Sequence, residues 1–298
     1  MRLRAGAFTN LSRDHLDYHA TLDDYFAAKM RLFTTLLPAD APIVYDADSD
    51  VAPRLVAALA GRARTLRGVG VEGRFIALES ARREGFSTRL TLIHAGRKYD
   101  VALPLTGAFQ VSNALVAAGI CLATGSGAQS VFAALATLEG APGRLEKVGE
   151  RRGAPVFIDY AHKPDALEKA LETLRPFVDG RLIVVFGCGG DRDPGKRPMM
   201  GAIASRRADI VIVTDDNPRS ENPAAIRAAI LAAAPDAREI ADRGEAIASA
   251  VRLLEKGDAL LIAGKGHETG QIVGNETRPF SDRDEAVKTA LALGGRAA

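Results

Sequence analysis

The sequence predicts an α/β protein built on a mostly parallel sheet, and three observations carry that expectation. The runs PVFIDY, RLIVVFG, DIVIVT and DALLIAG are almost wholly apolar over the length of a strand, which marks strands buried on both faces. Segments with helical spacing of apolar residues separate them, as crossover connections between parallel strands require. Proline stands at 164, 198 and 223, in the first turns of predicted helices, where its missing N–H is tolerated.

Taken in order, Thr21 to Leu36 reads as a helix with Leu22, Tyr25, Phe26 and Phe33 as its apolar residues. Ile43 to Tyr45 is a short strand and Val51 to Ala60 a helix. Thr88 to Leu105 contains two β-rich runs around His94-Ala95-Gly96-Arg97, a hairpin signal. Phe109 to Thr124 and Gln129 to Thr137 are helical. A boundary falls at Gly140-Ala141-Pro142-Gly143. Beyond it, strands and helices alternate: PVFIDY, Pro164 to Phe177, RLIVVFG, Pro198 to Arg207, DIVIVT, Pro223 to Ala234, Gly244 to Leu254, DALLIAG, and a closing helix from Asp282 to Leu293. The second half is expected to be a complete Rossmann-like domain and the first half only part of one.

A chain of 298 residues can bury two ordinary domains. Its 47% hydrophobic content and formal charge of +2 describe a soluble globular protein and give no reason to expect nucleic acid or a membrane as partner. No apolar run approaches the ~18 residues of a membrane helix, and MRLRAGAFTNLSRDH lacks the apolar centre of a signal peptide. Cys121 and Cys188 are too isolated to frame disulfides or a zinc site, so a reducing cytoplasm is expected. No obligate protein partner is evident.

Ligands of open parallel sheets bind at the carboxyl ends of the strands. Those ends present Arg192 and Arg219, whose planar forks suit carboxylate or phosphate, and Glu268, which suits an ammonium. That polarity fits an amino acid. Read alone, Asp216-Asn217-Pro218 is a turn after a strand, and Gly264-Lys265-Gly266-His267-Glu268 a loop whose glycines serve the turn. Asp159 and His162 alone read as a strand-end turn held by an Asp side chain. His15 alone is a capping or surface histidine, and Lys29 a solvated helix charge. Gly190 to Lys196 spells G-x-x-x-x-G-K, but Arg197 stands where Ser or Thr should ligate magnesium. Pro194 and bulky charged residues make the loop a poor cradle for phosphate.

FTNLSRDHLDYH, YFAAKMRLF, GAFQVSNALVAAG, GAPGRLEKV, FIDYAHKPDALEKAL, FGCGGDRDPGKRPMM, TDDNPRSENP, AGKGHETGQIV and FSDRDEA occur in that order over essentially the whole chain. Together they resemble the Mur ligases, most closely the branch that adds diaminopimelate. The resemblance implies residues 1–141 as the C-terminal part of the central, ATP-binding domain and 142–298 as the amino-acid-binding, Rossmann-like C-terminal domain. It implies an ATP-dependent carboxylate–amine ligase of peptidoglycan synthesis. In that reaction ATP phosphorylates the D-glutamate carboxylate of a UDP-N-acetylmuramoyl-dipeptide, and the amine of meso-diaminopimelate attacks the acyl phosphate. By residue, it implies His15 and a carbamylated Lys29 as Mg2+ ligands, and Asn113, Arg144, Asp159 and His162 near the nucleotide. Arg192, Asp216, Asn217, Pro218, Arg219, Gly264 and Glu268 would hold diaminopimelate. Gln110 departs from the more usual Asn. The family normally begins with a UDP-gripping domain and a GTNGKT-type loop, and this chain starts downstream of both. The expectation is therefore no turnover by these residues alone; the competing expectation is a non-catalytic remnant that still binds diaminopimelate.

Overall fold

The computed structural model describes residues 3–11 and 21–298, side chains 62–64 excepted. The chain divides into two compact units, Met1–Glu139 and Gly140–Ala298.

The first unit runs β1 (Gly6–Phe8), α1 (Leu22–Arg31), β2 (Ile43–Asp46), α2 (Ala52–Ala58), β3 (Leu66–Gly70), β4 (Ile76–Glu84), β5 (Ser87–His94), β6 (Arg97–Leu103), α3 (Ala108–Ala123) and α4 (Ala128–Leu135). The strands lie in one sheet in sequence order, β1 to β4 parallel and β4 to β6 an antiparallel meander. The Thr21 side chain accepts from the Asp24 N–H and caps α1, with Asp23 and Asp24 favourably placed in its first turn. Neighbouring residues of a strand serve opposite faces. Ile43 packs with Phe8, Phe26, Phe33 and Leu55, whereas Val44 packs with Val69, Leu92, Leu115 and Phe132. A Cβ at Gly119 would stand 2.7 Å from Val44 Cγ1, so this glycine lets α3 lie close on β2.

The second unit continues with β7 (Glu146–Arg151), β8 (Ala154–Asp159), α5 (Pro164–Leu174), β9 (Leu182–Phe186), α6 (Lys196–Arg207), β10 (Ile210–Val213), α7 (Pro223–Leu231), β11 (Arg238–Glu239), α8 (Arg243–Leu253), β12 (Ala259–Ala263), β13 (Gly270–Val273), β14 (Glu276–Pro279), α9 (Asp282–Ala292) and β15 (Arg296–Ala297). The main sheet has the order β11-β10-β9-β12-β8-β7-β15. Strands β8 to β12 within it are parallel, while β7 runs antiparallel to β8 and β15 antiparallel to β7. Ile158, Ile183, Val185, Ile212 and Ile262 pack with Ile247 and Val251 of α8 and Ala286 of α9. The alternate strand residues Phe157, Val184, Phe186 and Leu261 are also buried, as are Leu171 of α5 and Met200 of α6. Strands enclosed on both faces must be continuously apolar, which is the pattern the sequence shows.

At the ends of α8 and α9 lies a wholly buried ion pair. Arg243 donates to both carboxylate oxygens of Asp282, at 2.7 and 2.8 Å, and to the Ala263 carbonyl at 3.1 Å. No helix among the described residues is long and apolar enough to cross a membrane.

Candidate functional site

Because β10, β9, β12 and β8 are neighbours and parallel, their carboxyl ends emerge side by side. The loops after β9 and β10 are clasped together. The Gly190 N–H donates to the Asn217 carbonyl at 2.9 Å, and Asp191 accepts from the Ser220 hydroxyl at 2.7 Å. Glu221 accepts from the Asp191 N–H at 2.6 Å and from Arg197 at 2.8 and 2.9 Å. A Cβ at Gly190 would lie 1.9 Å from the Pro218 carbonyl oxygen, so only glycine fits. The Lys196 ammonium donates to the His162 carbonyl at 2.8 Å. The glycine and lysine that imitate a phosphate loop are thus engaged in packing loops against one another.

Within this frame the structure assembles the predicted amino-acid residues. Arg219, at φ +52°, donates through Nη1 to the Gly190 carbonyl at 2.8 Å. Gly189 separates it from Arg192: the position a Cβ would take there is 2.8 Å from Arg219 Nη1 and 3.9 Å from Arg192 Cγ. Gly264, at φ +121°, leaves room for Asp216, whose Oδ2 would be 2.5 Å from a Cβ. Pro218 accepts the Glu221 N–H at 3.1 Å and closes the turn.

Asn217 is buried and joins three segments. Its Oδ1 accepts from the Ile272 N–H and from Lys265 Nζ, both at 2.9 Å, and its Nδ2 donates to Glu268 Oε2 at 3.0 Å. Lys265 Nζ reaches the same Glu268 oxygen at 3.1 Å. Burial alone would push the Glu268 carboxyl up, but the Asn217 amide and the Lys265 ammonium outweigh it and hold the group below its ordinary value. The β13–β14 hairpin, absent from the sequence reading, braces this loop. Arg219 donates its N–H to Ile272 at 3.1 Å, and Gly274 donates to Arg219 at 2.7 Å.

A second cluster gathers at the end of β8. Asp159 accepts from the Leu145 and Ala161 N–H groups, each at 2.8 Å, and burial raises its pKa. His162 donates to the Tyr160 carbonyl at 2.8 Å; burial, then the Lys196 charge, lower its pKa, so the ring is neutral at pH 7. Arg144 lies over the Tyr160 ring at 5.1 Å, and that ring meets His162 at 4.6 Å.

Lys29 and Asn113 belong to the first unit. Lys29 on α1 is half-buried, its ammonium 4.9 Å from the centre of the Tyr25 ring. It lines a cleft of about 480 Å³ with Phe8, Thr9, Asn10 and Arg31. Asn113 is exposed on α3, beside Ser112, which donates to Asp46 at 2.5 Å. His15 lies outside the described residues. Among the described residues no group of His, Cys, Asp and Glu is placed to hold a metal ion.

Residues 1–121 match the Mur ligase middle domain, and residues 143–266 match the Mur ligase glutamate ligase domain. The chain belongs to the Mur ligase family. This Mur ligase chain is 60% identical over 296 residues to the UDP-N-acetylmuramoyl-L-alanyl-D-glutamate–2,6-diaminopimelate ligase of Bradyrhizobium diazoefficiens, covering 98% of this chain and 61% of that protein. A solved structure of a ligase of the same name shares 34% identity at a TM-score of 0.70, covering 97% of this chain and 61% of that one. Folylpolyglutamate synthase of Mycobacterium tuberculosis, solved with ADP and AMPPCP, matches at 25% identity and a TM-score of 0.68, over 87% of this chain and 60% of that one. The chain therefore spans about three-fifths of the length of the curated relatives it matches.

Sequence reasoning left Lys265 out of the site. The only local hint was its spacing of three from Glu268; its contact with Asn217, 48 residues away, is a tertiary fact. The two cysteines offer a check on the packing around these strand ends. Cys188, just beyond β9, is buried, and its thiol is pushed up to about 12 by that burial, whereas Cys121 is exposed. A thiol reagent at pH 8 should label Cys121 rapidly and reach Cys188 only after denaturation. Equal rates for the two would show that the β9 loop opens readily.

Proposed function

We propose that these domains serve a ligase that joins the amine of meso-diaminopimelate to the D-glutamate carboxylate of UDP-N-acetylmuramoyl-L-alanyl-D-glutamate in peptidoglycan synthesis, with ATP as co-substrate. The observation that carries the proposal is the juxtaposition of Arg192, Arg219 and the Asn217–Lys265–Glu268 cluster on adjacent strand ends. The names of the relatives agree with it. In this reading Glu268 takes an ammonium of the acceptor, Arg192 helps hold the amino-acid head, and Arg219 pairs with the carboxylate at the far end. Asp216, Asn217, Pro218 and Gly264 shape the floor. Placement of the attacking amine, rather than new covalent chemistry by a side chain, is what the pocket contributes.

Asn113, Arg144, Asp159 and His162 are proposed to contact the nucleotide. Both Asp159 oxygens already accept backbone N–H groups, so besides that contact it fixes the turn that carries Tyr160 and His162. His15 and Lys29 are proposed to hold Mg2+. As an ammonium Lys29 cannot ligate a cation, so this role requires the carbamate, which converts it to an anion. ATP supplies the phosphoryl group and Mg2+ offsets its charge.

Calorimetric titration of the chain with meso-diaminopimelate and L-lysine tests the pocket without requiring turnover. Lysine lacks the second carboxylate and would leave Arg219 without its partner, so meso-diaminopimelate should bind more tightly by about 1–3 kcal/mol. Equal affinities would remove this reading.

A further inference from the structure

Lys265 has no solvent exposure, at the end of β12 in a site already rich in arginine. A buried ammonium is tolerated only where it is paired, and here both bonds go to residues of the pocket. Its own turn is closed by the Glu268 N–H donating to the Lys265 carbonyl at 3.0 Å, so lysine and glutamate are tied through backbone and side chain together. Glu268 Oε2 accepts from both Lys265 and Asn217, whereas Oε1 has no partner among the described residues. The carboxylate is thereby held by one oxygen and presents the other.

We propose that Lys265 is a positioning residue for the acceptor amino acid: its buried ammonium clamps Glu268 through Oε2 and Asn217 through Oδ1, leaving Glu268 Oε1 aimed to receive the ammonium of the incoming substrate. The proposal rests on the amino-acid reading of the pocket. It adds a consequence for pH. Glu268 faces Lys265 from its own turn, Asn217 and the charge of Arg219 from the loop after β10, and the charge of Arg243 from the start of α8. Binding of an ammonium requires Glu268 ionised, so affinity falls as pH drops through the Glu268 pKa. Burial raises that pKa, and the amide and ammonium lower it below the ordinary value. Removing the Lys265 charge removes part of the lowering, so the acid limb of binding should move to higher pH.

The experiment uses the 298-residue chain, wild type and Lys265→Met, with Lys265→Gln as a second variant that keeps a donor for Asn217 should the methionine impair folding. Two quantities are measured: the meso-diaminopimelate affinity across acid to neutral pH, by calorimetry, and the titration of the Glu268 side-chain carboxyl in the ligand-free chain, by carbon NMR. Near neutral pH the variants should bind about 2- to 12-fold more weakly, the cost of ordering one freed side chain on binding. The acid limb and the Glu268 titration should both move up in pH. In a Glu268→Gln background, adding the Lys265 substitution should no longer move the acid limb. A loss of affinity that is uniform across pH, with the Glu268 titration unmoved, would reduce Lys265 to a packing residue and overturn the proposal. If wild type binds neither amino acid while the Glu268 titration still moves, the amino-acid reading fails and the hold of Lys265 on Glu268 stands.

Discussion

Arg219→Ala should weaken meso-diaminopimelate binding by about 10- to 200-fold, from a charge-assisted hydrogen bond worth roughly 1.5–3 kcal/mol. The backbone around Arg219 is fixed independently of its side chain, through bonds to Ile272 and Gly274. Truncation therefore leaves the backbone in place and removes the guanidinium together with its bond to the Gly190 carbonyl. Nη1 is already committed to the Gly190 carbonyl, which holds the fork in place before any ligand arrives. L-Lysine, with no second carboxylate, should bind about as weakly to the variant as to the wild type. Arg219→Lys should not restore affinity, because one ammonium cannot reproduce two parallel contacts. Calorimetric titration with both amino acids checks all three expectations, and an unaffected Arg219→Ala would show that the pocket is misplaced.

The largest stability effect is expected at the buried Arg243–Asp282 pair. Asp282→Ala would leave a guanidinium with no exposure and without the carboxylate it is bonded to, at a cost of about 3–5 kcal/mol. For a unit of this size that corresponds to roughly 6–20 °C in melting temperature. Replacing both partners, as in Arg243→Met with Asp282→Leu, should recover much of the loss, since no buried charge then lacks its partner. Arg243 also donates to the Ala263 carbonyl, just before Gly264 of the proposed pocket, so the double variant should melt near wild type yet bind amino acid less well. Thermal denaturation of the single and double variants decides the first point and titration the second. A double variant as unstable as Asp282→Ala would contradict the charge argument.

How far the sequence could be read depended on where each element takes its stability. Strands β8, β9, β10 and β12 were legible because enclosure on both faces demands unbroken apolar runs, such as Leu182 to Phe186. Strand β7, Glu146–Arg151, is charged and sits towards the edge, held by antiparallel pairing with β8, so its composition carries no strand signal. The two-residue strands β11 and β15 are fixed only by distant partners. The β13–β14 hairpin escaped for the same reason: Glu276–Pro279 is exposed and polar, and the hairpin owes its place to bonds with the Arg219 loop. In the first unit β3 and β4 were missed where Arg67, Arg82 and Arg83 break the alternation expected of a strand.

The candidate site was legible in its residue types and less so in its organisation. Arg192, Arg219 and Glu268 announce themselves as charges in strand-end loops. Gly189 and Gly190 do not reveal that they set the approach of one loop to the next, since close backbone packing leaves no mark beyond the absence of a side chain. Nor does Lys265 reveal its burial, because lysine in a glycine-rich loop ordinarily reaches solvent.

The central claim, that the ends of β9, β10 and β12 form an acceptor amino-acid site, is tested most directly by a crystal structure of the chain grown with meso-diaminopimelate. The ligand should lie over Gly189, with one carboxylate on the Arg219 guanidinium and an ammonium within hydrogen-bond distance of Glu268 Oε1. A ligand found elsewhere on the chain, with Arg219 and Glu268 keeping only their present protein partners, would contradict it.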